Sequence, residues 1–169
     1  MGSGYVFRCD NCGKDEEVFL GAGMMFPTAC SETLAEVREG KHGQKLKEAA
    51  EREPFVGVAA EQRIYICEKC GHWEVQTDAS VYGLADKEKG PDTSFGEKTI
   101  AEWGEIPYVA KWADKGVFRL IEEYVPDCPE CGSSMRAQDV DEDGGIDLQL
   151  RCNDCGHPLS PGELRICWD

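Results

Sequence analysis

The sequence predicts an α+β fold made of two small β-rich modules, the first of which carries a helical insertion. Three observations support this prediction: four short cysteine-containing turns, alternating apolar segments typical of half-buried strands, and one stretch with helical periodicity. The length of 169 residues suits one ordinary domain or two small ones. We place the first module at residues 1–80, a bridging segment at 81–116 and the second module at 117–169.

Cysteine is the outlier of the composition, with ten residues in the chain. The N-terminal residues show no basic region followed by an apolar one, so a signal peptide is not expected, and no apolar run is long enough to span a membrane. We therefore expect a cytoplasmic protein. In a reducing compartment, such a cysteine count indicates metal or redox chemistry in place of a disulfide framework.

Eight of the cysteines form four identical Cys-x-x-Cys-Gly units, which we call the first to fourth knuckles. Two thiolates three residues apart can reach one metal ion if the backbone turns sharply, and the following glycine allows the positive φ that such a turn needs. Eight thiolates suffice for two tetrahedral sites. The predicted ligands are Cys9, Cys12, Cys67, Cys70, Cys128, Cys131, Cys152 and Cys155.

The knuckles resemble those of zinc-ribbon and rubredoxin-like proteins, and the arrangement as a whole resembles uncharacterised bacterial tandem zinc-ribbon proteins. The resemblance implies zinc-ribbon-like modules that hold two zinc ions, with iron as the alternative metal. Both metals accept a tetrahedral sulfur site. A thioredoxin-like dithiol needs a strand-to-helix junction, which these units lack. A catalytic zinc needs an open coordination position, which four thiolates would fill.

Four knuckles can combine into two sites in three ways, and we expect sequential pairing. Loop closure costs less for short loops, so Cys9 and Cys12 should join Cys67 and Cys70, and the third knuckle should join the fourth. Twenty residues separate Cys131 from Cys152, with a hairpin pattern between them. Its predicted strands are residues 135–140 and 146–150.

The long segment between the first two knuckles has helical character over residues 31–53. Ser31 is a candidate N-cap, and a second helix should begin near Gln44 and stop before Pro54. Strands are predicted at residues 55–59, 63–66 and from 116 onward. The apolar positions expected to face the core between the helices are Leu34, Val37, Leu46, Ala49 and Ala50. The aromatic residues of the bridging segment that we expect to be partly buried are Trp103, Tyr108 and Trp112.

Two cysteines and three histidines remain outside the predicted ligand set. Cys30 precedes the first predicted helix, where a helix N-terminus could activate it, but an inert buried thiol is the simpler expectation. Cys167 has apolar neighbours and should pack against the second module. His72 and His157 follow knuckle glycines and are expected near the sites without acting as ligands, and His42 is expected in a solvated loop.

The acidic run from Asp139 to Asp147 matches several positions of a calcium-binding loop. Its twelfth position is Leu150, where the bidentate glutamate belongs, and the flanking residues have strand character. A calcium site remains open as an alternative to an acidic hairpin tip.

The charge of the chain bears on its partners. Lys and Arg total 18 against 33 Asp and Glu, a formal net charge of −15. This balance argues against nucleic-acid binding, because phosphates would be repelled. The sequence shows no nucleophile–base motif and no phosphate-binding loop, so we do not expect an enzyme. The leading hypothesis is a non-catalytic adaptor that binds another protein, and the alternative is a rubredoxin-like iron electron carrier.

Overall fold

The computed structural model describes residues 2–23, 26–53, 55–85, 109, 116–139, 145–146 and 148–168. These residues form two compact units, each assembled from separate stretches of chain. The first unit comprises Met1–Gly23, Gln62–Gln76 and Val125–Asp169, and the second comprises Met24–Glu61 and Thr77–Tyr124. The structure has two helices and mostly antiparallel strands in its described part, which confirms the predicted α+β class.

The elements follow one another along the chain as ten strands and two helices in the described residues. Their bounds are β1 (Gly2–Arg8), β2 (Asp15–Gly21), α1 (Phe26–Glu39), α2 (Gln44–Arg52), β3 (Val56–Val58), β4 (Gln62–Cys67), β5 (Trp73–Thr77), β6 (Val81–Leu84), β7 (Phe118–Glu122), β8 (Met135–Ala137), β9 (Gly145–Ile146) and β10 (Gly162–Trp168). Neither helix is long and apolar enough to cross a membrane.

The sheet of the first unit contains two similar groups of three strands. In one group β1 lies between β2 and β10, and in the other β4 lies between β5 and β8. The strands of both groups whose register is described pair antiparallel, and β1 pairs with β2 over its full length, from Gly2↔Gly21 to Arg8↔Asp15. A single pair, Gly21↔Gln62, joins the two groups. Each group therefore has its first strand at the centre.

The core of the first unit follows from strand alternation. Tyr5 and Phe7 of β1 and Val18 and Leu20 of β2 point to the same buried face, because side chains two positions apart share one face of a strand. Ile64, Trp73, Leu150 and Leu159 complete this core, together with the cysteines Cys9 and Cys152.

The core of the second unit is formed by the two helices and the sheet β3-β6-β7. Leu34 and Val37 lie three residues apart on one face of α1 and are buried, as predicted. Leu46, Ala49 and Ala50 are buried on α2, which begins at the predicted Gln44. The predicted strands before the second knuckle and after Gly116 correspond to β3, β4 and β7.

Helix α1 begins earlier than expected. It starts at Phe26, so Ser31 lies inside the helix and does not cap it, and Cys30 also lies inside. The prediction relied on a capping residue type, but the apolar contacts of Phe26, Ala29 and Cys30 with the core extend the helix toward its N-terminus.

In the described residues, the two strands predicted as a hairpin after the third knuckle pair with other strands and not with each other. Strand β8 pairs with β4, and the short β9 pairs with β10. Residues 148–150 are not a strand, although Leu150 is buried in the core of the first unit. The part of the predicted second strand at residues 148–150 therefore reflects burial of Leu150 and not strand pairing. The expected partly buried residues Trp103, Tyr108 and Trp112 lie outside the described residues.

The two compact units divide the chain differently from the expected modules at 1–80 and 117–169. All four knuckles belong to the first unit, and the helices expected as an insertion in the first module belong to the second unit together with β3, β6 and β7. The partition follows strand pairing between distant segments, which hydrophobic periodicity does not report.

Gly162 is required where β10 packs beside β1. A Cβ atom at this position would lie 2.6 Å from Cζ of Phe7, whose ring is fully buried. We expect Gly162→Ala to lower the free energy of unfolding of the metal-loaded protein by about 1–3 kcal/mol, because an overpacked core must shift. Urea denaturation followed by circular dichroism measures this change.

Glu163→Ala is the matched control, since Glu163 is an exposed neighbour on the same strand. Its removal should change the free energy of unfolding by less than about 0.5 kcal/mol. Equal effects of the two substitutions would contradict the packing of Phe7 over Gly162.

Candidate metal centres

The four knuckles share one backbone geometry. In each, the amide of the glycine donates to the carbonyl oxygen of the first cysteine at 2.8–2.9 Å, and the amide of that cysteine donates to the carbonyl five residues later at 2.7–2.8 Å. The four glycines, Gly13, Gly71, Gly132 and Gly156, have φ between +66° and +75°. This confirms the positive φ expected from the sequence, a conformation that glycine adopts without steric cost.

The thiols meet in two groups of four. We call the group from the first and fourth knuckles the outer site and the group from the second and third knuckles the inner site, because the inner site lies within the chain segment that the outer site closes. In each group all sulfur atoms lie within 4.8 Å of one another. The outer site contains Cys9, Cys12, Cys152 and Cys155, and the inner site contains Cys67, Cys70, Cys128 and Cys131.

The sulfur–sulfur distances fit a tetrahedral metal. They are 3.5 Å for Cys9–Cys155 and 3.7 Å for Cys12–Cys152 in the outer site. The corresponding inner-site distances are 3.5 and 3.6 Å. Metal–sulfur bonds of about 2.3 Å place tetrahedral ligands about 3.8 Å apart, whereas a disulfide requires about 2.05 Å. The described cysteines are all free thiols. Each group can therefore hold one four-coordinate metal ion.

The pairing of the knuckles differs from the expected sequential order, which was wrong. The first knuckle joins the fourth and the second joins the third. Loop closure favours short loops by only about 0.6 kcal/mol per doubling of length. Cys12 and Cys152 are 140 residues apart. Summed over both sites, the free energy of loop closure is therefore roughly 2 kcal/mol less favourable than for the expected pairing. The ladders β1–β10 and β4–β8, which deliver the paired knuckles, override this preference.

The two sites have the same distribution of solvent exposure. In every knuckle the first cysteine is buried, at 0–2% exposure, and the second is more exposed. Cys12 and Cys70 are the exposed members, and Cys131 and Cys155 are intermediate. Two cysteines of each site are thus buried, and the other two are partly or fully exposed to solvent.

Backbone amides and one hydroxyl stabilise thiolate charge at the sites. The amide of Cys12 lowers the pKa of the Cys9 thiol. The hydroxyl of Ser133, with its amide, lowers the pKa of Cys131 to about 6. Hydrogen bonds to a charged form favour that form.

Crowding of four thiols has the opposite effect on one member of each site. The amide of Lys14 lowers the pKa of Cys12, but the neighbouring thiols and partial desolvation raise it by more, to about 12. The amide of His72 acts similarly on Cys70, whose pKa is also raised to about 12. Four negative sulfurs in one cluster repel one another, and a divalent cation would remove that repulsion.

At each site an ion pair joins a residue beside one knuckle to a residue of the other knuckle. Nζ of Lys14 lies 3.0 Å from the carboxylate of Asp154 in the fourth knuckle and 3.0 Å from Glu16. At the inner site, Nε of Arg136 lies 3.2 Å from the carboxylate of Glu68. The Lys14–Asp154 and Arg136–Glu68 pairs are exposed, so they contribute little to stability, but they place positive charge beside an anionic sulfur cluster.

The histidines are not members of either cluster. The backbone carbonyl of His72 accepts a hydrogen bond from the amide of Cys67, and Nδ1 of the exposed His157 lies 3.3 Å from the carbonyl of Cys155. His42 lies in the turn between α1 and α2, as expected, but it is not a fully solvated residue. Its ring is 18% exposed, lies 3.2 Å from Glu36 and meets the ring of Tyr124 edge-on at 5.5 Å.

The remaining candidates have separate outcomes. Cys30 is fully buried in the second unit, and burial raises the pKa of its thiol to about 12, as expected of an inert cysteine. The side chain of Cys167 lies outside the described residues. Most of the proposed calcium loop, including Asp141, Asp143 and Asp147, also lies outside them. Asp139 is fully exposed and pairs with Arg63 at 2.7 Å.

One residue of the sites' surroundings was not singled out from the sequence. Trp73 follows the second knuckle, and its indole Nε1 donates to the carbonyl of Arg151, beside the fourth knuckle, at 2.7 Å. Its position two residues after Gly71 was the available indication, since an aromatic residue at the start of a strand is a core candidate.

The described residues contain two four-cysteine clusters within one compact unit, and both clusters fit a zinc-ribbon-like metal-binding pattern. Comparison with protein-family models, curated proteins and solved structures finds no match for this chain.

Paired substitutions test the assignment of the knuckles. Cys12→Ala/Cys155→Ala removes two ligands of one site and should leave the other intact, so the protein should retain about one metal per chain. Cys12→Ala/Cys70→Ala removes one exposed ligand from each site and should weaken binding at both. Native mass spectrometry in the presence of limiting chelator measures the stoichiometry.

Sequential pairing predicts the reverse, because it places Cys12 and Cys70 in one site. Retention of one metal by Cys12→Ala/Cys70→Ala, with loss of both metals from Cys12→Ala/Cys155→Ala, would contradict the nested arrangement.

Proposed function

We propose that both sites hold zinc in a structural role and that the chain is a non-catalytic adaptor that binds another protein. The support for a structural role is the donor set. Four thiolates complete the tetrahedral coordination of zinc and leave no position for water or substrate. Each ion would join segments that are far apart in the chain, such as the first and fourth knuckles, and binding energy of this kind is folding energy.

Iron is the alternative metal, because a tetrahedral sulfur site accepts it equally well. With iron, the exposed sulfurs of Cys12 and Cys70 would offer routes for electrons to a partner, as in a rubredoxin-like carrier. The metal identity therefore separates the two hypotheses.

We expect protein purified from its native source to be colourless and to contain about two zinc ions per chain, because zinc has no redox or visible absorption chemistry of its own. Elemental analysis with an absorption spectrum checks this. A red sample that bleaches on reduction and contains iron would replace the adaptor with the electron carrier.

The observation that carries the adaptor proposal is an exposed apolar row on the sheet of the first unit. Gly4 of β1 lies directly between Phe19 of β2 and Ile166 of β10. Phe19 is 50% exposed and Ile166 is 53% exposed. A Cβ atom on Gly4 would lie 2.7 Å from Cγ2 of Ile166 and 3.2 Å from the Phe19 ring, so the glycine allows both side chains to lie over the backbone.

This row, which we call the Phe19–Ile166 row, lies in a shallow groove of about 410 Å³. Asp15 and Glu17 line the groove beside Phe19, and Arg165 lines it beside Ile166. The guanidinium of Arg165 pairs with Glu163 at 2.9 Å and that of Arg8 with Asp15 at 3.7 Å, so three carboxylates, with Glu17, stand against two guanidinium groups and the balance at the groove is acidic. Apolar side chains exposed inside a polar rim are typical of interaction sites.

Charge selects the class of partner. The stretches that form the first unit contain 16 Asp and Glu against 7 Lys and Arg. Two zinc tetrathiolates would make this unit more negative still. A second copy of the chain and a nucleic acid would both be repelled, so the occupant we propose is a segment of another protein with apolar and basic side chains.

A synthetic probe tests this occupant. A fluorescein-labelled octapeptide of alternating Leu and Lys should bind the zinc-loaded protein, and one of alternating Leu and Glu should not, because only the first complements the rim. We expect Phe19→Ala/Ile166→Ala to weaken binding at least about ten-fold, measured by fluorescence anisotropy, as at interface hot spots.

Leu120→Ala is the matched control, since Leu120 is 48% exposed but belongs to the second unit. It should bind the peptide as the wild type does. Equal binding of both peptides, or no effect of the double substitution, would contradict the row as the binding surface. Salt-sensitive retention on an RNA or DNA column would instead support a nucleic-acid-binding zinc ribbon.

A further inference from the structure

The two metal sites are connected through one side chain. Trp73 begins β5, directly after the second knuckle, which supplies Cys67 and Cys70 to the inner site. Its indole Nε1 donates to the carbonyl oxygen of Arg151 at 2.7 Å. In the other direction, Nδ2 of Asn153 donates to the carbonyl oxygen of Trp73 at 3.3 Å.

These two hydrogen bonds bracket a ligand of the outer site. Arg151 and Asn153 are the immediate neighbours of Cys152, and they are 78 and 80 residues away from Trp73 in the chain. Trp73, which follows the inner-site knuckle, therefore holds the backbone carbonyl before Cys152 and the side chain of the residue after it. Because Trp73 is buried, an indole N–H left without this partner would cost free energy.

The same indole also packs beside the strand that leads into the first knuckle, which supplies the other two ligands of the outer site. The rings of Trp73 and Phe7 have centroids 6.2 Å apart and planes inclined by 53°. Phe7 lies two residues before Cys9, and Phe7, Trp73, Cys9 and Cys152 all belong to one buried cluster. Trp73 itself is 4% exposed. A tilted aromatic pair in a close-packed core leaves little freedom for either ring.

The backbone of the second knuckle sets where Trp73 lies. The amide of Cys67 donates to the carbonyl of His72 at 2.8 Å, and the amide of Gly71 donates to the carbonyl of Cys67 at 2.9 Å. These bonds close the turn immediately before Trp73. A metal ion bound by Cys67 and Cys70 would hold this turn closed, because both thiolates would ligate the same ion across it.

We infer that the two sites load as a coupled pair, in which Trp73 is the positioning residue that links occupation of the inner site to the geometry of the outer site. Metal at the inner site fixes the turn, the turn fixes the indole, and the indole fixes the backbone around Cys152. Linkage is reciprocal, so metal at the outer site favours loading of the inner site by the same factor. This coupling does not depend on the adaptor role.

The test uses Co²⁺ as the probe, because tetrathiolate Co²⁺ absorbs visible light. In Cys67→Ala/Cys70→Ala, which has lost the inner site, the outer site should bind Co²⁺ at least about five-fold more weakly than in the wild type. Trp73→Phe keeps an aromatic ring but removes the indole N–H. Adding Trp73→Phe to the cysteine variant should cause little further loss, because the link is already broken.

The control is Tyr5→Phe, at a buried aromatic of the same core. Tyr5→Phe should leave unchanged the ratio of the outer site's Co²⁺ affinities in the proteins with and without the inner site. Trp73→Phe should reduce this ratio by about five-fold, the usual effect of one hydrogen bond. If the outer site binds Co²⁺ equally well with and without the inner site, there is no coupling. If Trp73→Phe leaves this affinity ratio unchanged, Trp73 is not the residue that couples the two sites.

A second measurement does not require the cysteine variant to fold. Native mass spectrometry of the wild type at one Zn²⁺ per chain should show mainly metal-free and doubly loaded protein. Trp73→Phe should raise the singly loaded population toward the statistical value. A wild type that already shows the statistical distribution would overturn the inference.

Discussion

The pairing of β1 with β10 is the constraint on which the metal centres depend. It brings together cysteines that are 146 residues apart, Cys9 and Cys155, and it places the exit of the fourth knuckle beside the entry to the first. Ser160 secures this junction, because its amide donates to the carbonyl of Arg8 at 2.8 Å and its hydroxyl accepts from the amide of Arg8 at 3.0 Å. Where this ladder forms, the outer site forms with it.

The inner site repeats the design inside the segment that the outer site closes. Strand β4 runs into Cys67, β8 follows Cys131, and the pair Cys67↔Met135 lies in their ladder. Nesting places both sites in one unit, whose core includes ligands of the outer site, while the second unit is supported by an apolar core of two helices and three strands. A small unit with a limited core gains from such ligands, since metal bound only by the folded state stabilises that state.

One strand serves two purposes because its faces differ. On β1, Tyr5 and Phe7 point into the core that contains Cys9 and Cys152. Gly4 lies on the other face, between the exposed Phe19 and Ile166. A binding surface on this sheet would therefore be as ordered as the outer site beneath it, which is the physical link between the proposed structural zinc and the proposed adaptor role.

The sequence by itself determined the local chemistry of this protein. A Cys-x-x-Cys-Gly turn is set by a few adjacent residues, so the positive φ of Gly13 and its three counterparts, the buried faces of both helices and the α+β class followed from local pattern. Only the tertiary structure decided which knuckles meet. The choice between Cys67 and Cys152 as a partner for Cys9 depends on the ladder of β1 with β10, on Phe7 lying over Gly162 and on Trp73 reaching Arg151. Chain separation carries only a weak logarithmic preference against such contacts, so the packing of distant strands outweighed it.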